Sequence, residues 1–316
     1  MVFHSLEFAF FLPVVFTLYW LARSQRYLQN LIIVAASLFF YGWWDWRFLS
    51  LILFSSFLDF FTGILLGCTG SEVRRKLLLG ISVSVNLGFL GYFKYYNFFI
   101  DTFVDAFTLF GFSISPERLN IVLPAGISFY TFQTMSYTID VYRRQLEPTK
   151  DAVSFLAFVS FFPQLVAGPI ERATNLLPQF QQNRTFSFEA GSEGLRQILW
   201  GLFKKIVIAD NCAIIADKVF ENYELVKGSY LYAGVLCFTI QIYCDFSAYS
   251  DIAIGTARLF GFRLMQNFAN PYFSQDLGEF WQRWHISLTT WFRDYVYLPL
   301  GGSKVDRITH VRNVVI

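Results

Sequence analysis

The chain has 316 residues, of which 55% are hydrophobic and only 15% charged, and its formal net charge is +2. The mean hydropathy of +0.43 lies outside the range of soluble globular domains, and the small net charge argues against nucleic acid as a partner. The composition therefore predicts an all-α polytopic membrane protein. Because a spanning helix needs about 20 apolar residues, the apolar runs suffice for about seven to nine crossings, with no separate soluble domain between them.

Three apolar segments open the chain, at Leu6–Leu21, Leu28–Tyr41 and Phe48–Leu66. Arg23 follows the first segment, and the basic residues 74–76 follow the third. If all three segments cross the bilayer, both basic loops lie on one side, which the positive-inside rule identifies as the cytoplasm. The N-terminus is then predicted to lie outside.

The next apolar segments are harder to place. Leu77–Tyr92 is predicted to cross outward, and Ile121–Asp140 to cross inward, which brings Arg143 and Arg144 to the cytoplasm. The aromatic segment Lys94–Phe112 lies between them. If it crossed too, those arginines would lie outside, so it is predicted to be an interfacial or re-entrant helix.

Proline and glycine interrupt a later apolar segment. Phe155–Ile170 contains Pro163 and an Ala-Gly-Pro sequence, which indicates an interrupted or re-entrant helix. Leu176–Glu193 is rich in polar residues and is predicted to be a linker. Helices are predicted to resume at Leu195–Ala216 and Tyr230–Tyr249.

A first group of polar side chains lies within the apolar segment Gln241–Gly255. It comprises Asp245, Ser247, Tyr249 and Asp251. Carboxylates in such surroundings must be paired, hydrogen-bonded or protonated. Two interpretations remain open: the acids brace a helix junction, or they line a polar passage.

A second group lies in Glu279–Gly302, which is predicted to be one helix. Its first residue and Arg283 are four residues apart, a spacing that favours an ion pair. The predicted face that carries the histidine consists of Trp281, Trp284, His285, Leu288, Trp291, Phe292 and Tyr295. A histidine of near-neutral pKa suits general base catalysis, although a histidine among aromatic rings can also be structural. Arg283, Arg293 and Asp294 either bind an anionic acyl donor or brace loops.

Neither a metal site nor a bound cofactor is expected. The three histidines are far apart in sequence, and the four cysteines show no metal-binding spacing. An alternative to enzymatic function is a membrane transporter or channel component, with Asp245 and Asp251 as ion or proton sites. The chain shows no pair of inverted repeats, which argues against the commonest transporter architecture.

Four segments together resemble a known family, the membrane-bound O-acyltransferases, and within it the alginate O-acetylation branch. They are EFWQRWHISLTTWFRDYVYLPLGG, YCDFSAYSDIAIGTARLFGF, SFFPQLVAGPI and MVFHSLEFAFFLPVVFTLYW. The resemblance implies a multi-pass protein of the bacterial inner membrane with a funnel or tunnel through the lipid bilayer. It further implies acetyl transfer from a cytoplasmic acyl thioester, such as acetyl-CoA, to hydroxyls of an exported alginate-like polysaccharide, with periplasmic partner proteins. His285 matches the histidine of the family's Trp-His-Ile-Ser motif.

One departure from the family pattern concerns a second histidine. The resemblance places the principal catalytic histidine in a later Gly-Leu-Trp-His-Gly segment, which these 316 residues do not contain. The expectation is that residues 1–316 form the N-terminal part of a single membrane-embedded family domain and are inactive by themselves. A fragment, a truncated gene and a natural product without that histidine are the three alternatives.

Overall fold

Residues 1–109, 122–166 and 168–315 are described in the computed structural model, and within these ranges the secondary structure is helical, without β-strands. The first eight α-helices are α1 Leu6–Leu21, α2 Arg26–Asp45, α3 Leu49–Cys68, α4 Glu72–Leu90, α5 Tyr96–Leu109, α6 Ile127–Tyr142, α7 Ala152–Ser160 and α8 Phe162–Leu165. The following ones are α9 Ala173–Gln181, α10 Phe188–Leu202, α11 Asp210–Glu221, α12 Gly228–Leu259, α13 Leu277–Arg283, α14 Ile286–Phe292 and α15 Arg307–Val315.

Among the described residues, three helical runs are long and apolar enough to cross a membrane: Arg26–Cys68, Glu72–Leu109 and Gly228–Leu259. Leu6–Leu21 and Ala152–Leu165 are shorter apolar helices. Many phenylalanine, leucine and tryptophan side chains on these helices are exposed, as expected for surfaces that face lipid. The prediction of an all-α membrane protein is confirmed.

Several helix boundaries differ from the predicted ones; the helix predicted at Tyr230–Tyr249, for example, extends from Gly228 to Leu259. The predicted start of a separate helix at Lys94 is wrong, because α4 continues into α5 through a π-helical turn at Gly91–Tyr95. A π turn keeps the backbone hydrogen-bonded, so an aromatic sequence without proline has no reason to break there. The end of that predicted segment, residues 110–112, lies outside the described residues. Between α2 and α3 the helix bends at Asp45 and passes through one 3₁₀ turn, Trp46–Phe48.

The segment α7–α9 is re-entrant, as its proline and glycine content predicts. The amide of Asn30 donates to Ser154 Oγ (3.0 Å) near the start of this segment and to the carbonyl of Phe180 (2.9 Å) near its end. Ser37, about 10 Å further along α2, accepts from the backbone N–H of Phe162 (3.1 Å) in the middle. The chain therefore enters at the level of Asn30, reaches the level of Ser37 and returns.

The turn of this re-entrant segment is formed by an extended residue rather than by the proline. Phe161 has φ −49° and ψ 103°, and Pro163 lies in the first turn of the next helix, α8, where a proline is tolerated. Gly126, at the start of α6, packs against the same turn with φ 70°. A Cβ at this position would lie 2.4 Å from the carbonyl oxygen of Leu165, so the contact requires glycine.

The predicted polar linker Leu176–Glu193 is mostly helical, and this prediction is wrong. Only residues 182–187 separate α9 from α10. Leu176, Leu177 and Phe180 are buried on one face of α9, and this apolar face stabilises the helix although its other side is polar. The predicted helix Leu195–Ala216 is an α10–π–α11 run, with the π turn at Phe203–Ala209.

Glycines bring α10 and α12 into close contact. A Cβ at Gly194 would lie 2.7 Å from the carbonyl oxygen of Gly255, and a Cβ at Gly255 would lie 2.6 Å from that of Gly194. Gly201 lies two turns later on α10, and a Cβ at this position would lie 2.8 Å from the carbonyl oxygen of Ala248. Small residues at a membrane helix contact allow the backbones to approach closely, and here they bring the π turn that follows α10 against α12.

The helix α1 runs parallel to the C-terminal part of α12. The Tyr19 hydroxyl donates to the carbonyl of Phe260 (2.9 Å), and the Trp20 indole donates to that of Leu259 (3.0 Å). At the other end of α1, His4 Nδ1 lies 3.3 Å from the Tyr249 hydroxyl. The end of α12 is therefore at the level of the basic loop that follows α1.

This arrangement predicts which positions share a membrane face. We expect Arg23→Cys, Arg74→Cys and Gln182→Cys to be protected from a membrane-impermeant maleimide in intact spheroplasts, and Trp44→Cys to be labelled. Each cysteine is introduced alone into a variant that lacks the four native cysteines, and all positions should react after lysis. Protection at Trp44→Cys together with labelling at Arg74→Cys would contradict the arrangement.

Candidate functional site

The backbone turns sharply at His285. The prediction of one helix over Glu279–Gly302 is wrong, because α13 ends at Arg283 and α14 begins at Ile286. His285 lies between them with φ 44° and ψ 53°. This left-handed conformation costs about 1–2 kcal/mol for a residue with a Cβ, and it persists only where the surrounding contacts enforce it. The predicted aromatic positions consequently do not share one helix face.

Asn267 provides the contacts that fix this turn. Its side chain is fully buried, and its Oδ1 accepts from the backbone N–H (3.3 Å) and the hydroxyl (2.9 Å) of Ser287. Its backbone carbonyl accepts from the N–H of Ile286 (2.9 Å), and its Nδ2 donates to Ser250 Oγ (3.3 Å) on α12. His285 is therefore positioned by a segment that is distant in sequence.

The imidazole of His285 lies among aromatic rings and has no hydrogen-bond partner at Nε2. The ring of Phe246 packs edge-on against it with the centroids 4.6 Å apart, and the ring of Phe129 lies 6.5 Å away. Burial lowers the pKa of His285 from 6.5 to about 4. The imidazole is thus neutral at neutral pH, and its Nε2 is able to form a hydrogen bond with a ligand. Protonation of the ring is unfavourable in these surroundings.

The first predicted polar group lies in the middle of the long helix α12 and not at a helix junction. Lys204, on the π turn after α10, lies with its Nζ 2.5 Å from Asp251 and 2.9 Å from Ser247 Oγ. The amide of Gln197 donates to the other oxygen of Asp251 (2.9 Å). Asp251 and Ser247 are thereby brought together: Asp251 forms a largely buried ion pair with Lys204, and Ser247 accepts a hydrogen bond from the same ammonium group.

Asp245 belongs to a neighbouring ion pair, and the ring of Tyr249 lies beside it. The Nζ of Lys205 lies 2.6 Å from Asp245 and 2.8 Å from Asp210, and 6.0 Å from the centroid of the Tyr249 ring. Neither Lys204 nor Lys205 is among the predicted site residues. The signal was present in the sequence, because two lysines inside an apolar helix require carboxylate partners.

The three charged residues near the histidine form ion pairs with other side chains of the protein, as expected if they brace loops. Arg283 pairs with Glu279, as their spacing predicts. Arg293 Nε lies 2.7 Å from Asp294, which also pairs with Arg172 at 2.6 Å. Arg172 lies in the re-entrant segment, directly before α9, so Asp294 connects this segment to the end of α14.

A cavity of about 520 Å³ lies next to Asp294. Its wall includes Asp140, whose two carboxylate oxygens accept from the Tyr295 hydroxyl at 2.9 Å. The guanidinium groups of Arg143 and Arg172 lie over the Tyr295 ring, 5.3 and 5.4 Å from its centroid. Two arginines thus face two carboxylates, and the cavity has no large net charge.

A second cavity, of about 270 Å³, lies between the first predicted polar group and the segment of Asn267. It is lined by Lys204, Ser247, Asp251, Ser250 and Asn267, among others. Asn267 is the residue that holds the turn at His285. The structure therefore brings Ser247, Asp251 and the backbone of the His285 segment to one region, whereas Arg293 and Asp294 lie at the other end of α14.

Comparison with known proteins identifies the family. The family model described as MBOAT, membrane-bound O-acyltransferase family, matches residues 141–311. The chain belongs to this family. The matched part contains α12, Asn267 and His285, that is, all the residues that form the small cavity and the turn.

Three relatives show the range of similarity. The chain is 44% identical over 319 residues to the probable alginate O-acetylase AlgI of Pseudomonas putida, covering 99% of the chain and 64% of the relative. It is 34% identical over 337 residues to a peptidoglycan O-acetyltransferase of Helicobacter pylori, and this match covers 97% of the chain and 63% of the relative. It is 29% identical over 183 residues to a teichoic acid D-alanyltransferase of Bacillus subtilis, and this match covers 57% of the chain and 46% of the relative. The chain spans less than two thirds of the length of these relatives.

The buried ion pair predicts a specific pattern of stability. Lys204→Met leaves Asp251 without its cation, and we expect it to cost about 1–3 kcal/mol, because Lys204 is buried but Asp251 is partly exposed and keeps its hydrogen bond from Gln197. Lys204→Met combined with Asp251→Leu removes both charges and should recover most of this loss. Lys218→Met, at an exposed position on α11, is the matched control and should be neutral. Asp251→Leu alone completes the comparison, and thermal unfolding in detergent measures all four variants. A double variant whose loss of stability equals the sum of the losses in Lys204→Met and Asp251→Leu would contradict the pairing.

Proposed function

We propose that this protein is an O-acyltransferase that moves an acetyl group from a cytoplasmic acyl thioester, such as acetyl-CoA, to hydroxyls of an exported, alginate-like polysaccharide. Membership of the family and the 44% identity to a probable alginate O-acetylase along 99% of the chain support this activity. The reaction forms an ester C–O bond and breaks the thioester C–S bond, and the hydroxyl proton leaves with the thiol. Such a reaction needs a group that orients and deprotonates the hydroxyl and donors that stabilise the oxyanion.

The distribution of charge supports a place in the bacterial inner membrane with several crossings. Arg23, Arg26 and Arg184 lie at the level of the start of α2, and Arg26 donates to the carbonyl of Gln181 there. By the positive-inside rule this level is cytoplasmic, which is where a thioester donor is available. Lipid surrounds the exposed apolar faces, and periplasmic partner proteins are proposed for delivery to the polymer.

Residues 1–316 are proposed to form one membrane-embedded domain, the N-terminal part of the family domain. One buried apolar cluster supports this, because it joins residues from Phe3 in the first turn of the chain to Phe262 after α12. Tyr19 and Trp20 of α1 also donate hydrogen bonds to carbonyls at the C-terminal end of α12. We therefore propose no domain boundary within this range.

The observation that carries the site proposal is the unpartnered, buried Nε2 of His285. A polar atom in such surroundings costs free energy unless it gains a partner, and a substrate hydroxyl or the thioester carbonyl would supply one. We propose His285 as a catalytic residue that holds the reacting group through this hydrogen bond. Asp245, Ser247, Tyr249, Asp251, Arg283, Arg293 and Asp294 are proposed to shape the polar passage and its rim.

The alternative function, as a transporter or channel component, has no support from a particular contact. Asp245 and Asp251 would be its ion or proton sites, but each carboxylate is paired with a lysine. A transported cation would have to displace these ammonium groups. We therefore develop only the acyltransferase function.

The role of His285 is tested by two substitutions introduced at the chromosomal locus, so that the cell makes the protein in its native form. His285→Ala should lower the rate of polysaccharide acetylation about a hundredfold or more, the size expected for loss of a group that acts on the reacting atoms. His285→Gln should be nearly as damaging if the imidazole moves a proton, and clearly milder if it only donates or accepts a hydrogen bond. The ester content of the secreted polymer, normalised to protein abundance, is the measurement.

His310→Ala is the matched control, because His310 contacts Tyr297 far along the chain from the turn at His285. It should leave acetylation unchanged. Acetylation near the wild-type level in His285→Ala, at equal protein abundance, would return this histidine to a structural role.

A further inference from the structure

A polar cavity of about 810 Å³ lies at the N-terminus of α10 and is distinct from the cavity near His285. Its walls are the loop 182–187, the polar side of α9, and the chain from Arg258 to Leu264 at the end of α12. Gly261 adopts φ 81° there, and this turn folds Phe262 and Arg263 back toward the loop. The cavity lies at the level that the positive-inside rule identifies as cytoplasmic.

The innermost charged group of this cavity is Arg184, whose side chain is 7% exposed. Its guanidinium donates to Asn30 Oδ1 (2.6 Å) and Gln29 Oε1 (3.3 Å), and its buried Nε has no acceptor. The surrounding rings are those of Tyr19, Phe180 and Phe262, with centroids at 5.6, 5.9 and 5.0 Å. Within the described part of the chain no carboxylate lies within 4 Å of Arg184, and a buried cation with only neutral partners favours binding of an anion.

The other charged residues of the wall leave the cavity positive. Arg258 and Arg263 line it together with Arg184, and Glu193 is the acidic residue among the lining side chains. Glu193 lies 3.5 Å from Arg258, and both side chains are partly exposed, so this pair is weak. The cavity near Asp294 differs in this respect, because its arginines face two carboxylates.

The backbone adds to this positive character. Ser187 is the N-cap of α10 and, with Ala190, lines the cavity. The first N–H groups of a helix point outward and carry partial positive charge, which favours phosphate. At the nearby end of α12, the carbonyls of Leu259 and Phe260 are covered by the donors of Trp20 and Tyr19. These two carbonyls are therefore not free to face an anion in the cavity.

We propose that this cavity binds a phosphate group. Two sources have this chemistry: the phosphoryl groups of a soluble nucleotide thioester of the coenzyme A type, and the headgroup of an anionic phospholipid. The cavity shares Arg258 and Glu193 with a cavity of about 440 Å³, which in turn shares Gln197 and Asp251 with the one at Asn267. A ligand arm could follow this path toward His285, an extension that rests on the proposed function, whereas the phosphate site itself does not.

The test measures binding without acyl transfer. The protein is reconstituted in nanodiscs of phosphatidylcholine, and the affinity for radiolabelled coenzyme A is determined by equilibrium dialysis. In a second arm, the thermal stabilisation by phosphatidylglycerol is measured in nanodiscs of increasing phosphatidylglycerol content. The variants are Arg263→Glu and Glu193→Gln, with Arg23→Glu as a control that makes the same charge change on the same face outside the cavity.

One of the two ligands should bind about tenfold or more weakly to Arg263→Glu, the size of one lost charge-assisted contact, and more tightly to Glu193→Gln. Arg23→Glu should match the wild type. A change in the coenzyme A arm assigns the site to a soluble ligand, and a change in the phosphatidylglycerol arm assigns it to lipid. If Arg263→Glu equals Arg23→Glu in both arms, the proposal is overturned, whether or not the protein transfers acetyl groups.

Discussion

The side-chain amide of Asn267 is the interaction on which the arrangement around His285 depends. It joins Ser250 on α12 to Ser287 on α14, and Ser287 in turn accepts from the backbone N–H of Ile170 in the re-entrant segment. Three separate parts of the chain thus meet at one buried amide, and any partner left without its hydrogen bond would cost about 1–3 kcal/mol. This network can therefore enforce the left-handed backbone of His285, which the residue would not adopt by itself.

The buried charges of this membrane protein are held in two different ways. Asp251 and Asp245 lie on α12 and are neutralised by lysines of the π turn that the α10–α12 glycine contact brings close. Asp59, which is fully buried between α3 and α4, is surrounded by neutral donors such as Asn86 and Thr138. Both arrangements connect helices, and the pair of Asp251 with Lys204 also lies beside a cavity. This difference separates the candidate site from the scaffold.

The sequence predicts the features that depend on local composition. The apolar segments indicate a helical membrane protein, and the prolines and glycines of Phe155–Ile170 indicate an interrupted helix, although the chain turns at Phe161 and not at Pro163. The helix α9 is not predicted, because its buried face, which includes Phe180, is short and its apolar residues are surrounded by polar ones in the sequence. The turn at His285 is not predicted, because Asn267, which enforces the turn, belongs to a different segment. The partner of Asp251 is not predicted, because Lys204 is 47 residues away.

The central claim is that His285 is held as a neutral imidazole with Nε2 available to a ligand, and nitrogen NMR tests it directly. With ¹⁵N-labelled histidine and the His285→Gln variant for assignment, the spectrum of the protein in nanodiscs at pH 7 should show one protonated and one unprotonated ring nitrogen at His285. This pattern should persist until the pH falls well below 6.5, because burial lowers the pKa to about 4 and protonation of the folded state is then disfavoured. Two equivalent protonated nitrogens at pH 7 would show an imidazolium and would contradict the account.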